Sequence, residues 1–181
     1  GPGAREVADR FVHGIGHVDG GQFARAVQPG EHARIVAKVN ALTDPALIQA
    51  LVLASRAGAQ IDLIVRGVCA LRPGVAGLSE NIRVRSVIGR FLEHHRVFYF
   101  ENSSAEPELY LSSADWMERN LFKRVEIAFP ILDKKIRTQL IEQLMAYVSD
   151  TAQSWLLQAD GRYLRAEGPV DAIGVQVRML A

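Results

Sequence analysis

Sulfur, net charge and long apolar runs are all scarce in this sequence, and each shortage removes a class of function. Cys69 is the only cysteine in 181 residues, which excludes an intramolecular disulfide and fits a reducing cytoplasm. Cys69 and the five histidines (His13, His17, His32, His94, His95) show no paired ligand spacing, so no metal site is expected. No apolar run reaches about 18 residues, so no membrane span is expected. The start shows no signal-peptide pattern. Lys and Arg number 21 against 20 Asp and Glu, a formal net charge of +1. Bulk charge therefore predicts neither a nucleic-acid nor a membrane partner, and any anion site has to come from a local cluster. Apolar residues make up 49% of the chain, enough to build the core of one soluble domain.

Regular structure is expected from Ala33 onward. Residues 1–32 are interrupted by Gly14, Gly16, Gly20, Gly21 and Gly30, and read as an irregular segment, a short helix near 5–12 followed by a linker. ARIVAKV (33–39) reads as a buried strand. Asp44-Pro45 then supplies an N-cap and a proline at the first helical position. Leu47, Ile48, Leu51 and Val52 follow at helical spacing, and Gly58 is placed to end that helix. IDLIVRG (61–67) is a second buried strand. Strand, helix and strand in about 35 residues form a βαβ unit, hence a parallel pair with a right-handed crossover.

Beyond the irregular stretch after Gly67, IRVRSV (82–87) alternates like a half-buried strand. HRVFYFEN and ELYLSSAD read as a strand pair joined by a turn at 102–107, and KRVEIAFPI (123–131) as a further strand. Asp133 caps a helix with an apolar stripe of Ile136, Leu140, Ile141, Leu144 and Val148. Asp160-Gly161 between apolar runs is a hairpin signal, and the last ten residues read as a short helix. The expected organisation is a linker (1–32), an α/β domain with a mixed sheet flanked by helices (33–150), and a C-terminal hairpin with a short helix (151–181).

Polar residues gather where strands hand over to loops, the usual ligand-binding end of parallel strands. Lys38 and Asn40 lie at the end of the first strand. Arg66 lies at the rim of the second, where a planar fork suits phosphate. Arg72, Arg83, Arg85 and Arg90 make a dense arginine run that reads equally as a solvated face. His94 and His95 are the paired histidines, able to donate, accept or stabilise a phosphoryl group, and spacing does not choose between them. Ser112, Ser113 and Asp115 precede a helix-like stretch, where hydroxyls and free amides can hold an anion, although Asp115 reads first as a plain N-cap. Arg124 and Glu126 would share a strand face and pair. There is no nucleophile–base triad and no Gly-rich phosphate loop. The pattern fits electrostatic handling of a phosphoryl group.

The strings AKVNALTDPALIQAL, IVRGVCALRPGVAGLSENIRVRSVIGRFLEHHRVFYF and YLSSADWMERNLFKRVEIAFPI resemble the polyphosphate kinase family, over about Ala33 to Gly161. The resemblance implies the second of two phospholipase D-like domains in a cytoplasmic phosphotransferase that extends inorganic polyphosphate reversibly from ATP through a phosphohistidine. It implies His94 as the second essential histidine, Arg66 and Arg124 as phosphate or nucleotide ligands, and supporting roles for Lys38, Asn40, Ser113 and Asp115. It also implies ATP/ADP and polyphosphate as substrates, preceding kinase domains in cis, a homo-oligomer, and membrane association through the complete enzyme. The phosphorylated histidine, in a His-Cys-Lys type motif, and the magnesium-binding groups belong to the preceding domain and have no counterpart here, so Mg2+ is expected only in the complete enzyme. Residues 4–32 match loosely. The chain alone is thus expected to be inactive. The alternative is a stand-alone, non-catalytic polyphosphate-binding module. A phospholipase D-like hydrolase is disfavoured because no His-x-Lys-x4-Asp string occurs.

Overall fold

The computed structural model describes residues 32–102 and 106–180; the helix expected near 5–12 and part of the 102–107 turn lie outside them. Among the described residues, one eight-stranded mixed sheet organises the chain. Its strands are β1 (Ala33–Val39), β2 (Gln60–Val65), β3 (Ile82–Val87), β4 (Arg96–Asn102), β5 (Glu108–Ser112), β6 (Ala128–Pro130), β7 (Ser154–Leu157) and β8 (Tyr163–Arg165). Their spatial order is β6-β5-β4-β1-β2-β3-β7-β8. β1, β2 and β3 run parallel. β4 returns antiparallel beside β1, with Lys38 opposite Val97, and β5 and β6 continue antiparallel. On the other side the β7–β8 hairpin joins the same sheet through β3.

Alternation along β1 sends its residues to two cores. Ile35, Ala37 and Val39 pack with Leu47, Leu51 and Ala54 of helix α1 (Pro45–Arg56). Val36 packs on the other face with Leu144 and Tyr147 of helix α3 (Lys134–Ser149). A buried leucine is worth about 1.5–3 kcal/mol over an exposed one, so Leu47 and Leu51, each 2% exposed, hold α1 far better than helix propensity would. Asp44 caps α1 by accepting from the Leu47 amide at 2.9 Å, and Asp133 caps α3 by accepting from that of Ile136 at 2.9 Å. Gly58 (φ 104°) ends the turn after α1, and Gly161 (φ 89°) makes the β7–β8 turn; an L side chain would strain either.

Two expectations change. Only residues 128–130 of the 123–131 stretch pair with β5. Residues 123–127 follow the short helix α2 (Glu118–Phe122) as irregular chain: backbone pairing stops at the bond from the Ser113 amide to the Ile127 carbonyl at 2.9 Å, the Ile127 amide bonds the Ser113 hydroxyl, and Glu126 is taken by Ser113 and Asn120. The apolar stripe of α3 holds from Leu140 onward, with Leu140, Ile141 and Val148 packed against the cluster of buried Leu144 and Tyr147, whereas Ile136 is 50% exposed. Helix α4 (Val175–Arg178) closes the described chain.

Candidate functional site

The polar residues of interest meet beyond the carboxyl ends of β1 and β2. Past β1 the chain 40–44 runs between two loops, with single parallel bridges from Leu42 to Cys69 and to Trp116. Those bridges bring the 113–116 segment to Asn40, although the two are far apart in sequence. Asp115 uses one oxygen to accept from the amides of Asn40 (2.6 Å) and Ala41 (3.2 Å). Its other oxygen accepts from Arg96 at 2.7 Å. Asp115 is therefore not the N-cap of α2; Met117 holds that position without a side-chain bond. Burial alone would raise the Asp115 pKa, but bonds from Arg96 and the two amides outweigh it and hold the carboxyl below the usual range.

Arg96 opens β4 and is 8% exposed. Its two terminal nitrogens lie 3.2 and 3.3 Å from the ring nitrogens of His94. A neutral imidazole has one lone pair, so at most one of these contacts is a conventional hydrogen bond and the rest is close packing. Arg66 reaches the same rim from β2. Its Nε donates to Asn40 Oδ1 at 2.9 Å, and Asn40 Nδ2 faces the His94 carbonyl at 3.5 Å. Asn40 thus links Arg66 to the His94 segment. The two terminal nitrogens of this half-buried Arg66 make no hydrogen bond or ion pair among the described residues, so its fork is held by Nε and otherwise unspent. Gly67 makes this possible. Its amide bonds the Asn40 carbonyl at 2.8 Å, and a Cβ there would lie 2.9 Å from that same backbone oxygen.

The two histidines part company although neither lies in a strand. Extended backbone sends successive side chains opposite ways, so His94 meets Arg96 while His95 stands edge-on to Tyr147, ring centroids 5.9 Å apart. Crowding by its neighbours and then repulsion from Lys38 lower the His95 pKa to about 4, with Glu93 opposing. His95 is thus neutral near pH 7. Lys38 is 3% exposed and bound to Glu93 at 2.9 Å, so its ammonium does not reach the rim. Ser113 and Arg124 are exposed. The Ser113 hydroxyl bonds Glu126, which also accepts from Asn120 at 2.5 Å. Arg124 makes no direct bond within the site; it stands at the margin, close enough to Glu126 to help lower that carboxyl, as Arg96 does.

His94, Asn40, Arg66 and Asp115 are therefore brought together, with Ser113 and Arg124 at the edge and Lys38 behind. Sequence reasoning passed over Arg96, whose signal was a lone charge heading the apolar run VFYF, and also Glu93 and Tyr147. Of the arginine run, Arg83 and Arg85 serve the scaffold, Arg83 pairing with Asp62 at 2.9 Å and Arg85 donating to the Asp150 carbonyl at 3.0 Å, while Arg72 and Arg90 are exposed. Among the described residues no three His, Cys, Asp or Glu side chains are arranged to hold a metal ion. The nearby acids are already engaged, Asp115 by Arg96 and two amides, Glu93 by Lys38 and Tyr147, and Glu126 by Ser113 and Asn120. A magnesium ion does not fit these residues as they stand.

The chain as a whole is similar to known proteins. The model of the polyphosphate kinase C-terminal domain 2 matches residues 19–175. A polyphosphate kinase of Burkholderia ambifaria is 56% identical over 153 residues, covering 84% of this chain and 22% of that protein. One from Paraburkholderia phytofirmans is 53% identical over 158 residues, covering 87% and 23%. The crystal structure of the Porphyromonas gingivalis polyphosphate kinase superposes with a TM-score of 0.81 at 34% identity, over 88% of this chain and 24% of that one. The chain thus spans under a quarter of these relatives' length. NUC from Salmonella typhimurium, a phospholipase D family member, superposes at 0.51 with 16% identity over 80% of this chain and 90% of its own. That likeness shows the fold alone: a mixed α/β sheet flanked by helices, of phospholipase D type.

Proposed function

The chain belongs to the polyphosphate kinase family as its C-terminal domain, and from that premise we propose that the strand-end rim binds the phosphates of ATP and of polyphosphate during reversible phosphoryl transfer. The observation that carries this reading is Arg66. Its Nε is tied to Asn40, and its two terminal nitrogens are unspent beside the segment that carries His94. A guanidinium fixed in this way meets two phosphate oxygens at once, at little cost in ordering. His94, exposed and backed by Arg96, gives or takes a proton, or offsets charge, at the transferring group. Arg124 reaches the nucleotide phosphates from the margin. Asp115 touches no ligand; it fixes Arg96 and the end of β1. Positioning and charge do most of the work in such transfers, and the phosphorylated histidine belongs to another domain, so this chain contributes half of a site and works within a longer cytoplasmic protein.

Calorimetric titration of the chain with ATP and with polyphosphate, at low and at high salt, tests the reading. Weak binding that falls steeply with salt is expected, because charge dominates the contacts. No heat with either ligand at low salt sinks it. Radiolabelled ATP should leave no acid-labile phosphohistidine on the isolated chain; stable labelling of His94 would show that His94 itself carries the phosphoryl group.

A further inference from the structure

Behind the rim lies a cluster that the proposed chemistry does not use. Lys38, Glu93 and Tyr147 come from β1, from the loop before β4, and from α3. Glu93 is bound from two sides: one oxygen by the Lys38 ammonium at 2.9 Å, the other by the Tyr147 hydroxyl at 2.9 Å. Lys38 also lies 5.1 Å from the centre of the Tyr147 ring, a cation–π contact that closes the triangle. Burial drives the Lys38 pKa down and Glu93 opposes it; burial, then the Glu93 charge, pushes that of Tyr147 up. The protein thus spends a buried lysine and a tyrosine hydroxyl on one carboxylate, and that carboxylate immediately precedes His94. The side chains of Phe91 and Leu92 are exposed, 45% and 76%, and the loop is held at the Phe91 backbone by Gln176, which accepts from its amide and donates to its carbonyl, both at 2.9 Å. Glu93 is the second anchor, and it lies directly before His94.

We infer that Lys38 and Tyr147 are positioning residues for the reaction, acting through Glu93 to fix from the α3 side the loop that presents His94. This rests on the proposed role of His94. It reassigns Lys38, whose charge would otherwise read as a phosphate ligand. The two roles predict opposite behaviour when Glu93 is neutralised. A positioning role loses turnover, because a reacting group displaced by a fraction of an ångström is no longer aligned. A ligand role gains affinity, because the ammonium is released toward the phosphates.

The experiment uses a full-length polyphosphate kinase containing this domain. Tyr147→Phe keeps the ring and removes only the hydroxyl; Glu93→Gln keeps the shape and removes the charge. Turnover in polyphosphate synthesis is expected to fall about threefold in the first and about tenfold in the second, with KM for ATP changed by less than about twofold in both. Hydrogen exchange of the amides of residues 92–96 should quicken in both variants, while that of β2 stays as in the parent. A lowered KM for ATP in Glu93→Gln, or parental turnover and exchange in both variants, overturns the inference. His94→Ala is the control for the underlying reading. If it leaves synthesis intact, the role of His94 fails and the inference falls with it; if it abolishes synthesis while the Glu93 and Tyr147 variants turn over normally, only the positioning inference fails.

Discussion

Asp62 and Asp115 are both buried carboxylates that meet arginine, 2% and 6% exposed. Asp62 lies within β2 and is met from the flanking strands by Arg34 at 3.0 Å and Arg83 at 2.9 Å. Both arginines run outward, Arg83 most of all, so the cluster fastens three neighbouring strands and ends in solvent. Asp115 sits past a strand end. It gathers Asn40, Ala41 and Arg96, and the far side of Arg96 is pressed against His94 rather than against water. The ingredients are the same. What differs is what the arginine touches next, and position along the strand decides that. Mid-strand, a carboxylate can only brace neighbours; beyond the strand end it can brace a loop that carries chemistry.

The sharpest way to break this comparison is at the histidine that Asp115 reaches through Arg96. In a full-length kinase His94→Ala should abolish polyphosphate synthesis from ATP, and His95→Ala should leave it near normal, since His95 faces Tyr147 instead. Equal damage from both would mean that the Asp115 side holds no special place. Arg66→Lys keeps the charge but loses the fork, and should cost about tenfold or more in kcat/KM, about 1.4 kcal/mol of transition-state stabilisation. Turnover at the parental rate would refute two-point binding. Asp115→Asn and Asp62→Asn then set the two regions side by side. Asp115→Asn breaks a buried pair and should lower unfolding free energy by about 3 kcal/mol, measured by denaturant titration, whereas Asp62→Asn, whose arginines reach solvent, should cost about 1 kcal/mol or less. Only the Asp115 variant should also lose turnover in the folded enzyme.

The smallest effect is in pH. Because the Asp115 carboxyl is held below its ordinary value, its contribution to stability is complete above the unfolded carboxylate pKa of about 3.9 and is lost as pH falls through the lower folded value. The stability gap between parent and Asp115→Asn should therefore be full at pH 7 and close in acid. A gap that is constant down to pH 2 would show that the charge of Asp115 contributes nothing.

The parts legible in the sequence were those governed by neighbours. β1 follows from an apolar, β-branched run between polar and turn residues, β3 from its alternation, the cap at Asp44 from the proline after it, that at Asp133 from the apolar stripe it precedes, and the β7–β8 turn from Asp160-Gly161. The rim was legible as a place, because strand ends collect polar residues. Its wiring was not. Asp115 meets Asn40 across 75 residues and Tyr147 meets Glu93 across 54, and no local pattern records such pairings. Lys38 shows the consequence. At a strand end its charge reads as a ligand, and only the fold reveals that Glu93 and Tyr147 have already taken it. The 123–127 stretch failed in the opposite way: its alternation is strand-like, but backbone pairing stops at Ile127, and Ser113 and Asn120 take Glu126.

The two outermost strands, β6 and β8, are three residues long, and β6 ends in Pro130. So short a margin, with a proline that has no amide to offer, gives an incoming strand almost nothing to zip onto. Among the described residues the sheet is in effect hemmed at both sides: it resists the edge-to-edge stacking that drives aggregation, and contacts along its margins fall to side chains and loops rather than to an extension of the sheet.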